Sequence, residues 1–454
     1  MKFTTLFFSF LAVASATTLG RPKTRPNAYP PSEDKWYDPP SKDKLEKRKN
    51  GEIIKARDVP NAIAALGVAP LKLKKAKQIM FKSTGAHGDP TGAVTTVLVP
   101  YSANYLKMVS YQFAENAAFE DCAPSYAMQL GTGGVISDIL SKAEVLLINA
   151  ALSKGWVVTI PDYEGYESAF GSRNMSGHVV LDGIRATLDS HDHTGAFPGA
   201  DVALWGYSGG GTATAAAVEM HKDYAPEVNI VGAAMGGVMP KLDDVISLTN
   251  ATENAGMGVA VLRGMANVNK DFRDKMIRWK VKTKWAKLFG ESKRQCFVSN
   301  HVMYANNYIS EYFDDWDEWM QKEWIKTIFR VNSLGITAPK VPVLVYHSKN
   351  DDVSPIENTA ELVDHYCAGG TPSVIFHTNT KADHMELGVL GAPRVLKYLA
   401  NLMDGESMPN GCKEEVSERM SLDPQKEDDT GELFVANLIS DFGSTKTGPM
   451  AKIY

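Results

Sequence analysis

Residues 202–218 read VALWGYSGGGTATAAAV: an apolar run, a glycine-rich turn around Ser208, and then a run of small residues. The apolar run is typical of a buried strand, and the small residues can pack closely as a helix. A G-x-S-x-G pentapeptide between a strand and a helix is the pattern of a nucleophile elbow, where a strained turn exposes a serine hydroxyl. The glycines matter because the turn leaves no room for side chains beside the serine. The stretch therefore predicts that Ser208 is a nucleophile.

Two later segments place an acid and a histidine after this serine. An apolar strand pattern leads into Asp351, and the next strand pattern is followed by a polar loop with His384. The order Ser208, Asp351, His384 is that of the α/β-hydrolases and differs from the orders in chymotrypsin and subtilisin. Serine needs an adjacent base during attack, histidine titrates near neutral pH, and a carboxylate fixes its tautomer. These residues are predicted as a catalytic triad, with the backbone N–H of Gly209 as one oxyanion donor.

Other residues of the same types compete for these roles. The neighbouring Asp352 is the main alternative to Asp351, while Asp364 and Asp383 are less suitable. Four other histidines fit a polar turn, a helix end or a strand interior: His191, His193, His221 and His377.

Composition and processing signals indicate a secreted globular protein. The chain has 454 residues, is 44% hydrophobic and carries a formal net charge of −5, so it lacks the basic footprint of a nucleic-acid-binding protein. A lysine, an apolar run and Ala14-Ser15-Ala16 match a signal peptide that is cleaved after Ala16. No later apolar run is long enough to predict a transmembrane helix.

Cysteines and glycosylation sequons fit secretion. The cysteines are Cys122, Cys296, Cys367 and Cys412. An even number in a secreted protein suggests two disulfides, for which three connectivities are possible. Their spacing is not that of a zinc site, and we expect no metal. Sequons begin at Asn174 and Asn250, which predicts N-glycans on surface loops.

Strand and helix patterns alternate along the chain, which predicts an α/β fold with a mostly parallel sheet and helices on both faces. The strand signal disappears between 239 and 338. There, a basic aromatic segment (270–287) and an acidic aromatic segment (311–324) predict two amphipathic helices of opposite charge. They either pack together as plain structure or form a cap that lines an acyl-chain pocket and meets an anionic interface, and the two interpretations are compatible.

The predicted organisation has six parts. They are a signal peptide (1–16), an extended and poorly ordered N-terminal arm (17–50), a first core part (51–238), a helical cap insertion (239–338), a second core part (339–405) and a C-terminal segment (406–454). Within the arm, Lys47-Arg48 is either a dibasic processing site or an ordinary solvated loop.

Several further motifs make the chain similar to a known family. They are 51–57, 110–112, 122–126 and 161–165. With them, the chain resembles the secreted fungal lipases of the Candida antarctica lipase A type over most of its mature length. The resemblance implies an α/β-hydrolase core, a largely helical cap and carboxyl-ester hydrolysis without a cofactor.

The resemblance also implies which cysteines form disulfides and which residue is the second oxyanion donor. The disulfides it implies are Cys122–Cys296 and Cys367–Cys412. In such lipases the second oxyanion donor is an aspartate shortly after the Tyr-Gln pair of an early strand, and this chain has Asn116 there. An amide donates a hydrogen bond at any pH, whereas a carboxyl donates only when protonated.

These observations predict a secreted triacylglycerol lipase that acts on acylglycerols or similar esters through an acyl-enzyme, with a lipid–water interface as one place of action. Three alternatives remain, because a fold and a triad do not choose the bond that is cleaved. They are a carboxylesterase for short soluble esters, a serine peptidase of the same fold, and a binding protein on an inactive hydrolase scaffold. The oligomeric state is open.

Overall fold

The computed structural model of the protein describes residues 28–67, 69–132, 139–278, 280–418 and 447–448. Its strands are β1 (Ile53–Asp58), β2 (Ala64–Ala65), β3 (Ala69–Pro70), β4 (Lys75–Thr84), β5 (Pro90–Val99), β6 (Asn104–Gln112), β7 (Trp156–Pro161), β8 (Asp201–Tyr207), β9 (Ile230–Gly236), β10 (Val343–Ser348), β11 (Ser373–Asn379) and β12 (Gly411–Ser417). The signal-peptide prediction and most of the predicted C-terminal segment lie outside the described residues.

One large sheet organises the chain. Its strand order is β1-β4-β5-β7-β6-β8-β9-β10-β11-β12, while β2 and β3 pair separately. The pairs from β1 to β7 are antiparallel, and every pair from β7 through β12 is parallel. The central strands are buried along nearly their whole length, as expected for parallel strands covered on both faces. The predicted mostly parallel sheet is confirmed.

Helices cover both faces of this sheet. The helices of the core are α1 (Lys42–Leu45), α2 (Pro124–Ala127), α3 (Ile139–Ser153), α4 (Arg173–Leu188), α5 (His191–Thr194) and α6 (Gly209–Tyr224). Three further helices follow residue 338. They are α14 (Ile356–Ala368), α15 (His384–Leu390) and α16 (Ala392–Met403). Apolar residues of α4, α6 and α14 form one buried cluster with the sheet, and residues of α3 and α16 form another. The two clusters make a core in two layers.

Most of the secondary structure between residues 239 and 338 is helical. The helices are α7 (Leu242–Thr249), α8 (Ala255–Val268), α9 (Lys270–Phe272), α10 (Thr283–Glu291), α11 (Phe297–Tyr304), α12 (Trp316–Met320) and α13 (Glu323–Val331). They share a hydrophobic cluster that includes Phe272, Phe313 and Trp319. Phe170 and Val353 from outside the segment belong to the same cluster, which therefore joins the segment to the core.

The two charged segments within this region contact each other, but neither is the single amphipathic helix that the sequence predicted. Residues 270–287 contain α9, a π-helical turn at Arg273–Arg278 and the start of α10. Lys280 Nζ lies 3.0 Å from Asp315 Oδ2, and Val281 forms an isolated antiparallel bridge with Phe313. The segments form short helices rather than one long helix each, because their aromatic side chains pack into a common cluster instead of along one continuous stripe.

The predicted poorly ordered arm is wrong from residue 28 onward. A short 3-10 helix at Lys35–Tyr37 and helix α1 pack onto the sheet, and the side chains of Tyr37 and Leu45 are buried. The Tyr37 hydroxyl contacts Ser125 Oγ at 2.9 Å, and Asp34 pairs with Arg57 at 2.6 Å. The segment has no apolar period because it is fixed by isolated anchors rather than by one amphipathic face.

Two disulfides join distant parts of the chain. They are Cys122–Cys296 and Cys367–Cys412, the pairs that the family resemblance implied. The first connects the loop after β6 to the residue that precedes α11, and the second connects α14 to β12. Among the residues that the structure describes, no helix is both long and apolar enough to cross a membrane.

Candidate active site

Ser208 lies in the sharp turn between β8 and α6. Its backbone has φ 54° and ψ −122°, a strained conformation for a residue with a side chain. Cβ atoms at Gly206 or Gly210 would collide with backbone atoms, the carbonyl of Gly210 in the first case and that of Gln112 in the second. The two glycines therefore allow the strand, the turn and the helix to approach closely. This is the local geometry that the pentapeptide predicted.

His384 and Asp351 meet this serine in one line of hydrogen bonds. His384 Nε2 lies 2.8 Å from Ser208 Oγ, and His384 Nδ1 lies 2.7 Å from Asp351 Oδ2. The other carboxylate oxygen of Asp351 accepts from the backbone N–H groups of Val353 at 3.0 Å and Ser354 at 2.8 Å. Since the carboxylate accepts at Nδ1, it selects the tautomer whose Nε2 can take a proton from the serine.

The electrostatics keep the acid ionised and make the histidine more basic. Burial opposes ionisation of Asp351, but His384, His347 and the Ser354 N–H outweigh it and lower its pKa to about 2. Burial also opposes protonation of His384, yet Asp351 outweighs it and raises the pKa of His384 above its ordinary value. Ionised Asp351 stabilises the folded state above its unfolded pKa of about 3.9, and this stabilisation is lost as pH falls toward 2.

The competing aspartates have other contacts. Asp352 Oδ2 accepts from Asn254 Nδ2 at 2.8 Å, which links this loop to the start of α8. Asp383 caps α15 by accepting from the Glu386 backbone N–H at 2.8 Å. Asp364 is exposed on α14. Of the four aspartates, Asp351 is the one that contacts His384 in the described part of the chain.

The position of His384 differs from the sequence prediction. It is the first residue of α15 rather than part of a loop, and Asp383 and Glu386 form a capping box around it. The backbone carbonyl of His384 also accepts from the Tyr207 hydroxyl at 2.6 Å. The capping box was visible in the sequence as an acid followed three residues later by glutamate.

The other histidines contact groups away from Ser208. His191 and His221 contact the backbone carbonyls of Ala196 and Val228, and His377 contacts Glu415 and Ser417 on β12. His193 is exposed at the end of α5.

The two predicted oxyanion donors lie beside the serine. The backbone N–H of Gly209 is the first of α6, where amides lack intrahelical partners and the helix dipole favours negative charge. Asn116 has a left-handed φ of 48°, and its Nδ2 lies 3.5 Å from Ser208 Oγ. A Cβ at Gly209 would collide with Asn116 Oδ1, so the amide lies directly against the turn.

The loop that carries Asn116 is fixed by buried side chains that the sequence analysis did not assign. The Tyr163 hydroxyl donates to the Phe113 carbonyl at 2.7 Å, and Glu144 accepts from the Ala114 N–H at 3.0 Å. Burial raises the pKa of Glu144 to about 8, although hydrogen bonds from the Tyr111 hydroxyl and the Ala114 N–H oppose the rise. Tyr163 belongs to one of the recognisable motifs (161–165), which was the available signal for a role at the site.

One of the two sequons lies in a helix rather than in the predicted loop. Asn174 lies in the first turn of α4, half-buried, rather than in a loop, and its Nδ2 is 3.4 Å from the Ala86 carbonyl. Asn250 follows α7 in a turn, where its side chain contacts Ser310. Glycosylation at either position remains a prediction.

Comparisons with known proteins agree with one another. A family model described as "Secretory lipase" matches residues 131–411. Lipase A of Arthroderma benhamiae is 35% identical over 96% of this chain and 94% of its own length. Lipase 10 of Candida albicans is 33% identical over 93% of this chain and 90% of its own length.

Solved structures show the same architecture. The structure of Candida antarctica lipase A matches with a TM-score of 0.80 and 25% identity, over 93% of this chain and 99% of that one. A rice cell wall degrading esterase, LipA from Xanthomonas oryzae, shares the fold with a TM-score of 0.58 and 17% identity, over 79% of this chain and 97% of its own. The chain therefore has the α/β-hydrolase fold.

Proposed function

Because this chain belongs to the secretory lipase family, we propose that it is a secreted triacylglycerol lipase whose nucleophile is Ser208. The observation that carries the proposal is the line of hydrogen bonds from Asp351 through His384 to the serine hydroxyl. These contacts join a strained turn, the loop after β10 and the start of α15, which lie far apart in the sequence. Such a constellation suits acyl transfer to a serine.

In the proposed reaction the Ser208 oxygen attacks the ester carbonyl while His384 Nε2 takes the hydroxyl proton. The tetrahedral oxyanion accepts hydrogen bonds from the Gly209 N–H and from Asn116 Nδ2. His384 then gives the proton to the departing alcohol, which leaves an acyl-enzyme. Water attacks the acyl carbon in the same way and releases the fatty acid and the free serine. The chain's own side chains and backbone supply each step of this scheme, and we propose that no cofactor takes part.

We further propose that 239–338 is a cap over the site, inserted between core parts 51–238 and 339–405. The support is that cap residues reach the loops of the site from two directions. Asn254 contacts Asp352, the neighbour of the proposed acid. Asn267 Nδ2 contacts the backbone carbonyls of Ala118 and Ser168 at 3.3 and 3.1 Å. A cap so placed can exclude water and supply apolar contacts to an acyl chain.

Secretion is the setting that we propose for this activity. The two disulfides favour an oxidising compartment, and the sequence begins with the features of a signal peptide. N-glycosylation at Asn174 and Asn250 belongs to the same proposal.

A substrate series tests the proposed function. We expect release of p-nitrophenol from esters between butyrate and palmitate, together with fatty-acid release from emulsified triglyceride. An acyl pocket under the cap gains binding energy with each buried methylene, about 0.8 kcal/mol, so long chains should be retained as substrates. Activity limited to short soluble esters would make the protein a carboxylesterase. Cleavage of peptides without esters would indicate a peptidase, and no turnover at all would indicate a binding protein.

Asn116 should contribute to the rate through its amide N–H. We expect Asn116→Ala to lower kcat by about 10²–10³-fold, the usual cost of one oxyanion donor, with a similar ratio to wild type at every pH. Asn116→Asp keeps the shape but donates only when its carboxyl is protonated. Its kcat relative to wild type should therefore rise as pH falls.

The measurement is kcat against pH for the three proteins with p-nitrophenyl butyrate. The comparison uses ratios because protonation of His384 slows all three at acid pH. Full activity of Asn116→Ala would remove Asn116 from the oxyanion site, and a flat Asp-to-wild-type ratio would argue against donation by the amide.

A further inference from the structure

A second histidine lies beneath the proposed catalytic acid. His347 is in β10, four residues before Asp351, and its side chain is fully buried. Its Nε2 lies 3.3 Å from Asp351 Oδ2, the same oxygen that faces His384 Nδ1. The Asp351 carboxylate is thus placed between two imidazole rings. The reaction scheme above leaves one of them without a role.

The hydrogen-bond partners of His347 define its tautomer. Nε2 lies 3.0 Å from the Ser354 carbonyl, which can only accept, so Nε2 carries the hydrogen. Nδ1 then accepts from the Thr359 hydroxyl of α14 at 3.2 Å. Burial lowers the pKa of His347 although Asp351 opposes this, so the ring is the neutral form. The buried ring is satisfied on both sides as one defined tautomer.

This tautomer acts on Asp351 in two ways. The Nε2–H donates to the Ser354 carbonyl, and its nitrogen lies 3.3 Å from Asp351 Oδ2, where the positive end of the N–H dipole favours the ionised carboxylate. The same N–H holds the Ser354 carbonyl, while the Ser354 N–H donates to Asp351 Oδ1 at 2.8 Å. His347 therefore supports both the carboxylate and the turn that orients it.

We propose that His347 is a positioning residue that fixes the direction of Asp351 toward His384, in an orientation set by Thr359. The proposal rests on the triad role proposed above for Asp351. A carboxylate that rotates away leaves the imidazolium formed during attack without its stabilising partner. The effect should therefore appear in kcat and leave substrate binding unchanged.

The main test is His347→Leu, which keeps a buried side chain and removes the donor. With p-nitrophenyl butyrate we expect kcat per active site to fall by about 10–100-fold at unchanged KM, comparable with loss of an outer partner of a ligating histidine. His347→Gln places an amide N–H near the Nε2 position and should recover most of the loss. In boronate adducts, the low-field signal of the His384 Nδ1 proton should weaken in His347→Leu and return in His347→Gln.

Two further variants separate positioning from packing. His377→Leu removes a histidine of similar burial on the adjacent strand β11, whose ring contacts Glu415 and Ser417. Its kcat per active site should equal that of wild type. Thr359→Val removes only the hydroxyl that contacts Nδ1 and holds the ring in its orientation, so it tests the proposal even if His347→Leu does not fold. It should lower kcat in the same direction by a smaller factor.

The experiments distinguish a failure of the proposed role of His347 from a failure of the proposed function. Wild type and Ser208→Ala, measured in the same assay, report whether serine-dependent ester hydrolysis takes place. Wild-type kcat in His347→Leu or in Thr359→Val would overturn the role of His347. Equal losses in His347→Leu, His347→Gln and His377→Leu would overturn it as well, because packing alone would explain them.

Discussion

Ser208→Ala should lower kcat on p-nitrophenyl esters and on emulsified triglyceride by about 10⁶-fold, the loss seen when a serine nucleophile is removed from an intact triad. The hydroxyl oxygen forms the covalent bond to the acyl group, and alanine offers no atom that can replace it. The remaining oxyanion donors bind substrate but leave direct attack by water as the only route. Wild type should also react with a serine-directed phosphonate in a 1:1 ratio, whereas the variant should not react.

A matched control distinguishes this loss from damage to the fold. Ser373 is also a buried serine, on β11, and its hydroxyl has no hydrogen-bond partner among the described residues. Ser373→Ala should keep wild-type kcat and phosphonate labelling. Both variants should be secreted and melt as the wild type does. Retained activity in Ser208→Ala would remove the proposed nucleophile and with it the reaction scheme.

Local patterns in the sequence were sufficient to predict the three residues that the structure brings together. A strand, a glycine turn and a helix identify Ser208 within a few residues. The positions after two later strands, β10 and β11, identify Asp351 and His384. In parallel sheets the carboxyl ends of neighbouring strands lie at the same edge. Residues that follow different strands are therefore close in space although they are far apart in the sequence. The catalytic roles of these residues remain predictions until variants are measured.

Contacts between distant segments could not be predicted from local sequence patterns. Tyr163 and Glu144 fix the loop that carries Asn116, but their partners are 30 to 50 residues away along the chain. The segment from residue 28 to 50 packs through single anchors such as Tyr37, which leave no period in the sequence. The short helices of residues 239–338 follow from a shared aromatic cluster, and side-chain periodicity does not record such a cluster.

Substitution of Asp351, the proposed acid, is expected to cause the second large loss of activity. Asp351→Asn should lower kcat by about 10⁴-fold, since the amide has the same shape but can present N–H to His384 Nδ1. That contact favours the tautomer with hydrogen on Nε2, which cannot accept the serine proton. The variant also loses the negative charge that raises the pKa of His384. The acid limb of its residual kcat/KM profile should therefore move to lower pH.

Asp352→Asn is the control, because the sequence alone left Asp352 as the main alternative acid. Its carboxylate contacts Asn254 at the start of α8 and lies on an exposed residue, where solvent screens its charge. We expect near wild-type kcat for this variant, with at most a small downward shift of the acid limb, because Asp352 contributes to the raised pKa of His384 only through space. The reverse result, a large loss in Asp352→Asn and none in Asp351→Asn, would reassign the acid. A large loss in Asp351→Asn alone would assign the acid to Asp351, whose carboxylate contacts His384 Nδ1 directly.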